Sequence, residues 1–120
     1  MRYFLTRIFL KHMESYDFAE DNIHEVIKDI NEGRGVSLGR HLYKIRASAE
    51  GHGKSGGFRI VFFWKREKHI VFCRIFSKSE MDNLSFHELK VLNVLSQEYI
   101  NFTEVDIQNM IDNGKFKEVI

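Results

Sequence analysis

Two consecutive stretches rich in aromatic and β-branched residues constrain the fold of this chain more than any other feature. They run from Gly57 to Lys65 and from His69 to Ser77, and only the three residues 66–68 separate them. Runs of this composition with so short a connection are typical of a β-hairpin. The sequence therefore predicts two long antiparallel strands at the centre of the chain.

Alternation along these strands predicts which side chains share a face, because successive side chains of a strand point to opposite sides. In the first strand one face carries Phe58, Ile60, Phe62 and Trp64, and the other carries Arg59, Val61, Phe63 and Lys65. In the second strand, Phe72, Arg74 and Phe76 are predicted to share a face. Arg59 and Arg74 are thus expected to project from strands and not from loops.

A third strand is indicated before this hairpin, where polar and apolar residues alternate with a period of two. Leu42, Lys44 and Arg46 alternate with Tyr43, Ile45 and Ala47. The polar face of this half-buried strand carries cations. A shorter alternation at residues 2–5 predicts a first strand at the beginning of the chain. Gly35 and Gly39 mark a predicted loop before the strand that begins at Leu42.

Helical signals flank the strands on both sides. Thr6 is predicted to cap a short helix that reaches Met13 and has Ile8 and Phe9 on one face. A second helix is predicted to begin with Asp21 or Asn22 as its cap and to end at Gly33. The second helix carries an apolar stripe of Ile23, Val26, Ile27 and Ile30. After the hairpin, Ser85 and Glu88 form a capping-box pattern, with Leu84 placed to staple against Leu89.

The helix after Ser85 has an apolar stripe, and a further helix follows it. The stripe consists of Leu89, Leu92, Val94, Leu95 and Tyr99. Thr103 is predicted to begin the last helix, Val105 to Asp112, which Gly114 ends, and residues 116–120 are predicted to form an extended tail. Strands segregated from helices indicate an α+β fold, and 120 residues with 43% hydrophobic content fit one domain, residues 1–120.

The charge distribution predicts an anionic partner. Residues 34–78 contain eleven Lys and Arg against two Glu, whereas the other residues contain seven against fifteen Asp and Glu. Such an asymmetry points to a ligand such as phosphate. The segment Gly51 to Gly57 lies inside this basic region and contains His52 and Lys54. Its glycines would allow backbone N–H groups to approach an anion closely.

Several other functions are disfavoured by the residues present. The segment is not a nucleotide-binding P-loop, because Ser48 stands where the first glycine would be and a strand follows it. Six scattered histidines, the lone Cys73 and only two carboxylates in the basic region give no metal-ligand pattern. The N-terminus lacks a signal-peptide pattern, and no window is long and apolar enough for a membrane span. These observations predict a cytoplasmic protein without a metal or other cofactor.

The motifs together resemble a known family. YKIR (Tyr43 to Arg46), GKSGGFR (Gly53 to Arg59), FSKSEMDNLS (Phe76 to Ser85) and the closing pattern of Ile107, Ile111, Gly114 and Phe116 resemble the RelE-like toxins of bacterial type II toxin–antitoxin systems, in the branch related to HigB. The resemblance implies a small antiparallel sheet of about four strands, with N-terminal helices packed on it and helices at the C-terminus. It also implies a cognate antitoxin, expected to contain a helix-turn-helix domain.

The resemblance further implies an endoribonuclease that cleaves messenger RNA, in the ribosomal A site, through attack of the ribose 2′-hydroxyl on the adjacent phosphate and without a metal. Arg46 and Arg59 are then expected to stabilise charge, and Lys78 to position phosphate. Lys54 or Lys44 is expected to act as the base or to contact phosphate, and His52 to act as the acid. The other residues expected to bind RNA are Tyr43, through base stacking, and Arg74.

Two alternatives remain open from the sequence. The best-known members place an arginine and a tyrosine where this chain has Ser79 and, nearest to the tyrosine, Phe86. A module of the same fold that binds nucleic acid or protein without cleavage is therefore one alternative. The other is a toxin directed at DNA gyrase, as in the ParE relatives.

Overall fold

The computed structural model describes residues 1–48, 57–78 and 85–120. Within them the chain forms four helices and six strands. In chain order the elements are β1 (Arg2–Thr6), α1 (Arg7–Ser15), α2 (Glu20–Asn31), β2 (Val36–Gly39), β3 (Leu42–Ala47), β4 (Phe58–Lys65), β5 (His69–Ser77), α3 (Phe86–Ile100), α4 (Glu104–Asp112) and β6 (Phe116–Val119). The predicted α+β class and the predicted hairpin of β4 and β5 are confirmed.

The strands form one mixed sheet in the order β2-β3-β4-β5-β1-β6, and among these described strands only β1 and β5 pair in parallel. The described sheet has six strands where about four were expected. The predicted C-terminal tail is strand β6, which pairs with β1. The predicted loop between Gly35 and Gly39 was wrong, because Val36–Gly39 pairs with β3. Because this strand is short and mostly exposed, its sequence lacks the alternation of buried and exposed residues from which a strand is predicted.

Each face of the sheet is covered by a pair of helices. On the α1/α2 face, Phe9 and Ile23 from the helices pack with Ile60, Phe62 and other strand residues. On the opposite α3/α4 face, apolar residues of the helices pack with apolar residues of the strands, namely Leu42, Val61, Phe63, Leu92, Tyr99 and Ile107. None of the helices in the described ranges combines the length and the apolar character needed to cross a bilayer.

Side-chain caps begin three of the helices as the sequence predicted. The hydroxyl groups of Thr6, Ser85 and Thr103 accept hydrogen bonds from backbone N–H groups of the first turn, which would otherwise lack partners. The predicted cap of α2 was wrong, because the helix begins after Ala19, and the Asn22 side chain accepts a hydrogen bond from the Ala19 N–H at 2.8 Å. Ile8 and Phe9 were predicted to share one face of the first helix, but Phe9 is buried in the core whereas Ile8 is 45% exposed.

A β-bulge in β5 changes the faces that alternation predicted. Val61 pairs with Arg74 and Phe62 pairs with Phe72, so Cys73 is an extra residue on this strand. Phe72 therefore packs on the α1/α2 face, whereas Phe76 packs on the α3/α4 face. The prediction that Phe72, Arg74 and Phe76 share a face was wrong, because one inserted residue reverses the alternation beyond it.

Candidate functional site

Three cations of the central strands lie together on the α3/α4 face. Arg46 of β3 pairs directly with Arg59 of β4, and Lys44 is two residues before Arg46 on the same side of β3. Like charges directly opposite each other in a sheet are destabilising. No carboxylate in the described parts of the chain forms an ion pair with any of the three. Three cations without an ion-pair partner among the described residues indicate a site for an anion.

A hollow of about 680 Å³ opens beside these cations. We call it the cation hollow, and its lining consists of Asp29, Arg34, Gly35, Val36, Lys44, Ile45, Arg46 and Arg59. Lys44 of β3 pairs with Val36, the first residue of β2, so the hollow lies at the beginning of β2. Because its lining includes residues of both sheet faces, it reaches around the outer edge of β3 from the end of α2 to the cations.

The turn after α2 shapes the rim of the cation hollow. Gly33 adopts a φ of +87°, which favours glycine, and Arg34 then donates its backbone N–H to the Asp29 carbonyl at 3.0 Å. The Arg34 guanidinium also donates to the Asp29 carboxylate at 3.1 Å. Its other terminal nitrogen lies 3.7 Å from the Glu32 carboxylate. The rim is thus a local ion-pair cluster, and Asp29 is the acidic residue of the described lining.

Sequence reasoning missed Asp29 as a site residue. A signal was present, because Asp29 follows Val26 by three residues and precedes Ile30 directly, and both of those are buried. That spacing places Asp29 at the border of the buried helix face, where a side chain reaches a neighbouring strand. Its contact with the lining of the hollow depends on how α2 crosses β3, which local spacing does not determine.

Among the described residues, Phe76 is the aromatic residue beside the cations, and Tyr43 is not. Tyr43 is on the α1/α2 face, where it stacks on Phe62 with ring centroids 5.5 Å apart and contacts Trp64 edge-on at 5.4 Å. Phe76 pairs with Arg59 across β4 and β5 and is only partly buried. The sheet therefore presents a row of Arg46, Arg59 and Phe76 on one face, a combination suited to a phosphate and an adjacent base.

Arg74 is not brought to the cation hollow. Its side chain is 11% exposed, and its Nε donates to a Glu88 carboxylate oxygen of α3 at 2.6 Å. Its Nη1 donates to the Cys73 carbonyl at 2.8 Å. The first turn of α3 therefore covers the guanidinium, which serves as a link between helix and sheet. Its expected contact with RNA has no support from this geometry.

The remaining predicted site residues follow or precede the central strands. Lys78 is exposed, and its backbone N–H donates to the Gly57 carbonyl at 2.9 Å, which places it at the same end of the sheet as Arg59. His52 and Lys54 lie outside the described residues. No group of three or more His, Cys, Asp or Glu within the described ranges has the arrangement of a metal site.

The cation hollow can bind and polarise a phosphodiester. Guanidinium groups form paired, charge-assisted hydrogen bonds with phosphate oxygens, and an anion between Arg46 and Arg59 would replace their repulsion by attraction. Fixed positive charge at this position would also stabilise the additional negative charge of a phosphorane transition state. The geometry therefore suits both binding of nucleic acid and phosphoryl-transfer chemistry.

A model of a protein family matches the chain over residues 1–119. It is described as the RelE toxin of the RelE / RelB toxin-antitoxin system. The matched range contains all ten described helices and strands and every cation that lines the hollow. The match therefore concerns the fold as a whole and not one isolated motif.

Proposed function

The chain belongs to the RelE family of toxins of toxin–antitoxin systems, and from this premise we propose that it is an endoribonuclease that cleaves messenger RNA on the ribosome without a metal. Membership of the family implies a cognate antitoxin as its partner. The cytoplasm, where messenger RNA is translated, would be its place of action. The observation that carries the proposal is the group of Lys44, Arg46 and Arg59, for which the described residues provide no ion-pair partner.

The reaction is an internal transfer of the phosphoryl group. The ribose 2′-oxygen forms a bond to the adjacent phosphorus, the bond from phosphorus to the 5′-oxygen breaks, and a 2′,3′-cyclic phosphate and a free 5′-hydroxyl result. A base accepts the proton of the 2′-hydroxyl, and an acid supplies a proton to the leaving 5′-oxygen. Arg46 and Arg59 stabilise the negative charge that develops on the phosphorane oxygens.

The other roles follow from position and proton chemistry. Lys44 lines the hollow beside Arg46 and contacts phosphate or acts as the base, a role for which Lys54 is the alternative. Lys78, at the same end of the sheet as Arg59, positions a neighbouring phosphate. His52 is proposed as the acid. Phe76 offers a face on which one base of the substrate can stack.

Replacement of the paired arginines tests the proposal. We expect Arg46→Ala and Arg59→Ala each to lower the rate of messenger RNA cleavage on ribosomes by about 10²- to 10³-fold, as loss of one charge-stabilising donor does elsewhere. Primer extension on a translated message measures the new 5′ ends, and growth after induction gives the cellular effect. Arg66→Ala is the matched control, because Arg66 is an exposed arginine in the turn after β4, where it contacts the Trp64 ring.

Each possible failure has a separate meaning. Full cleavage by the double variant Arg46→Ala/Arg59→Ala would show that the hollow is not the catalytic site. If the unmodified protein binds RNA but produces no new 5′ ends, the chain is a binding module, which is the second candidate. The sequence favours this candidate where Ser79 and Phe86 replace the arginine and tyrosine of the best-known members. Inhibited supercoiling by gyrase would instead place the chain with the ParE relatives.

A further inference from the structure

A second concave surface lies on the outward side of α3. It is a groove of about 470 Å³ between this helix and the β2–β3 turn, and we call it the α3 groove. The residues that matter for its chemistry are Arg40, Phe86, Leu89, Lys90, Val94 and Gln97. Phe86 is 86% exposed and Val94 is 55% exposed. Val94 was predicted to belong to the apolar stripe of α3, and the structure places it outside the core.

The lining of the α3 groove combines apolar residues with positive charge. Phe86, Leu89 and Val94 form an apolar stripe, and Arg40 and Lys90 are the charged residues of the described lining. Two cations are too few to neutralise the row of phosphates that a nucleic acid would place along this apolar surface. A protein segment with apolar and acidic side chains matches both features.

The backbone holds Arg40 at this groove in an unfavourable conformation. Gly39 and Leu42 are paired residues of β2 and β3, so Arg40 and His41 form a two-residue hairpin loop. Both have positive φ, of 48° and 70°. Such loops favour Asn-Gly, because residues with a β-carbon are strained there. Folding alone does not call for arginine at this position, and its charge beside the groove supplies a reason.

We propose that the α3 groove binds an acidic amphipathic helix of the cognate antitoxin. The proposal takes from the proposed function only the premise that the chain is a toxin with such a partner. Residues 86–97 of α3 span about 16 Å at the helical rise, which corresponds to roughly three turns of a docked helix. Apolar residues of that helix pack on Phe86, Leu89 and Val94, and its carboxylates bind Arg40 and Lys90.

The α3 groove and the cations of the hollow belong to the same face of the sheet. Helix α3 packs on the face that carries Leu42, and Lys44 and Arg46 follow Leu42 on the same side of β3. The negative charge of a helix docked in the groove would therefore oppose the approach of RNA to this face.

Paired variants on exposed helix positions test the proposal. The probe is the purified product of the gene next to this one, and its affinity for the toxin is measured by calorimetry. Val94→Asp and Lys90→Glu are each expected to weaken binding by about tenfold or more, as loss of a central contact does. Val105→Asp and Lys28→Glu, at exposed positions of α4 and α2, are expected to leave the affinity unchanged.

A turn variant separates docking from folding. In Arg40→Asn/His41→Gly the loop has its preferred residues, so we expect a higher melting temperature together with weaker antitoxin binding. A higher melting temperature with unchanged antitoxin binding would show that Arg40 is not part of the interface. Unchanged affinity of Val94→Asp and Lys90→Glu, or no binding of the adjacent gene product at all, would overturn the proposal.

Measuring messenger RNA cleavage by the variants without antitoxin tests the docking surface separately from the proposed nuclease activity. Val94→Asp and Lys90→Glu should cleave messenger RNA as the unmodified toxin does, because neither residue lines the cation hollow. If no variant cleaves but affinity still falls, the docking surface stands and the nuclease proposal fails. If Val94→Asp instead dissociates a dimer of the free toxin, a second copy occupies the groove and the antitoxin does not.

Discussion

Arg46 and Arg59 oppose each other across β3 and β4 without a carboxylate partner in the described structure. A sheet optimised for stability alone would place an acidic or neutral residue at one of the two positions. The proposed function and stability therefore make opposite demands on this pair, as is common at binding sites. Asp29 moderates the positive potential of the same hollow from the end of α2.

The cost of the arginine pair can be measured directly. Arg46→Gln should raise the free energy of unfolding by about 0.5 kcal/mol, because it removes a like-charge contact across the strands. The same variant should lose RNA cleavage. Urea denaturation gives the stability, and Arg46→Lys is the control that keeps the charge. Equal stability of Arg46→Gln and Arg46→Lys would show that repulsion between the arginines is not significant.

The carboxylate of Asp29 should weaken the binding of RNA. Asp29→Asn removes a negative charge from the lining and releases Arg34, so we expect tighter binding of a 2′-deoxy oligonucleotide that cannot be cleaved. The gain should shrink at high salt, which screens the charge. Fluorescence anisotropy measures the affinity. Glu32→Gln is the matched control, since Glu32 also lies near Arg34 but is not among the lining residues of the hollow. An equal gain in RNA affinity from Glu32→Gln would show that Asp29 has no specific role.

At the scale of the elements, α3 forms one side of the α3 groove, and its attachment to the sheet fixes the position of that groove. Its packed side contributes Leu92 and Tyr99 to the core, and its first turn is held by Ser85 and by the pair of Glu88 with Arg74. The capping box predicted from Ser85 and Glu88 is only half formed. Ser85 caps the helix, but Glu88 binds the sheet through Arg74. The helix is thus fastened where it approaches the cation row.

Removal of Glu88 should destabilise the protein more than removal of the cap. Glu88→Ala leaves the Arg74 guanidinium covered and without its carboxylate, so we expect a loss of about 2 kcal/mol of unfolding free energy. Ser85→Ala should cost about 1 kcal/mol. Urea denaturation measures both, with Glu98→Ala on the exposed side of the same helix as control. A similar effect of Glu88→Ala and Glu98→Ala would contradict the assigned link.

At the scale of the whole molecule, stability should depend on pH through groups far from the proposed site. His69 begins β5 and is 4% exposed, and its burial lowers the pKa of the imidazole below its ordinary value, as does the nearby charge of Lys65. The hydrogen bonds from Arg2 lower the pKa of the Glu118 carboxyl. These groups join β5, β1 and β6 at one side of the sheet.

The free energy of unfolding should fall in two steps as the pH decreases. Below about pH 6.5 the unfolded chain protonates its His69 before the folded chain does, so stability is lost. Below about pH 4.5 the unfolded chain likewise protonates Glu118 first, and stability is lost as the pH falls through the depressed folded pKa. Urea denaturation over this range measures both steps. His69→Gln should remove the first step only, and an unchanged slope near pH 6 would contradict this assignment.

Much of the fold and part of the site could be predicted because they depend on local periodicity. Alternation in the chain correctly separated Phe58, Ile60 and Phe62 from Arg59, and the hydroxyl caps located the beginnings of three helices. Short strands with little burial, such as β2, escaped this reasoning. So did the bulge at Cys73, because one extra residue is recognisable only when the paired strand is known.

The sequence by itself determined the α+β class, the central hairpin and the placing of cations at alternate positions of β3 and β4. Only the tertiary structure decided that Arg46 faces Arg59, that Asp29 joins their hollow, that Arg74 is covered by α3 and that Val94 lies outside the core. The physical reason is that periodicity acts between near neighbours in the chain. Strand register and helix packing arise from contacts between distant segments, and these contacts choose which charges meet.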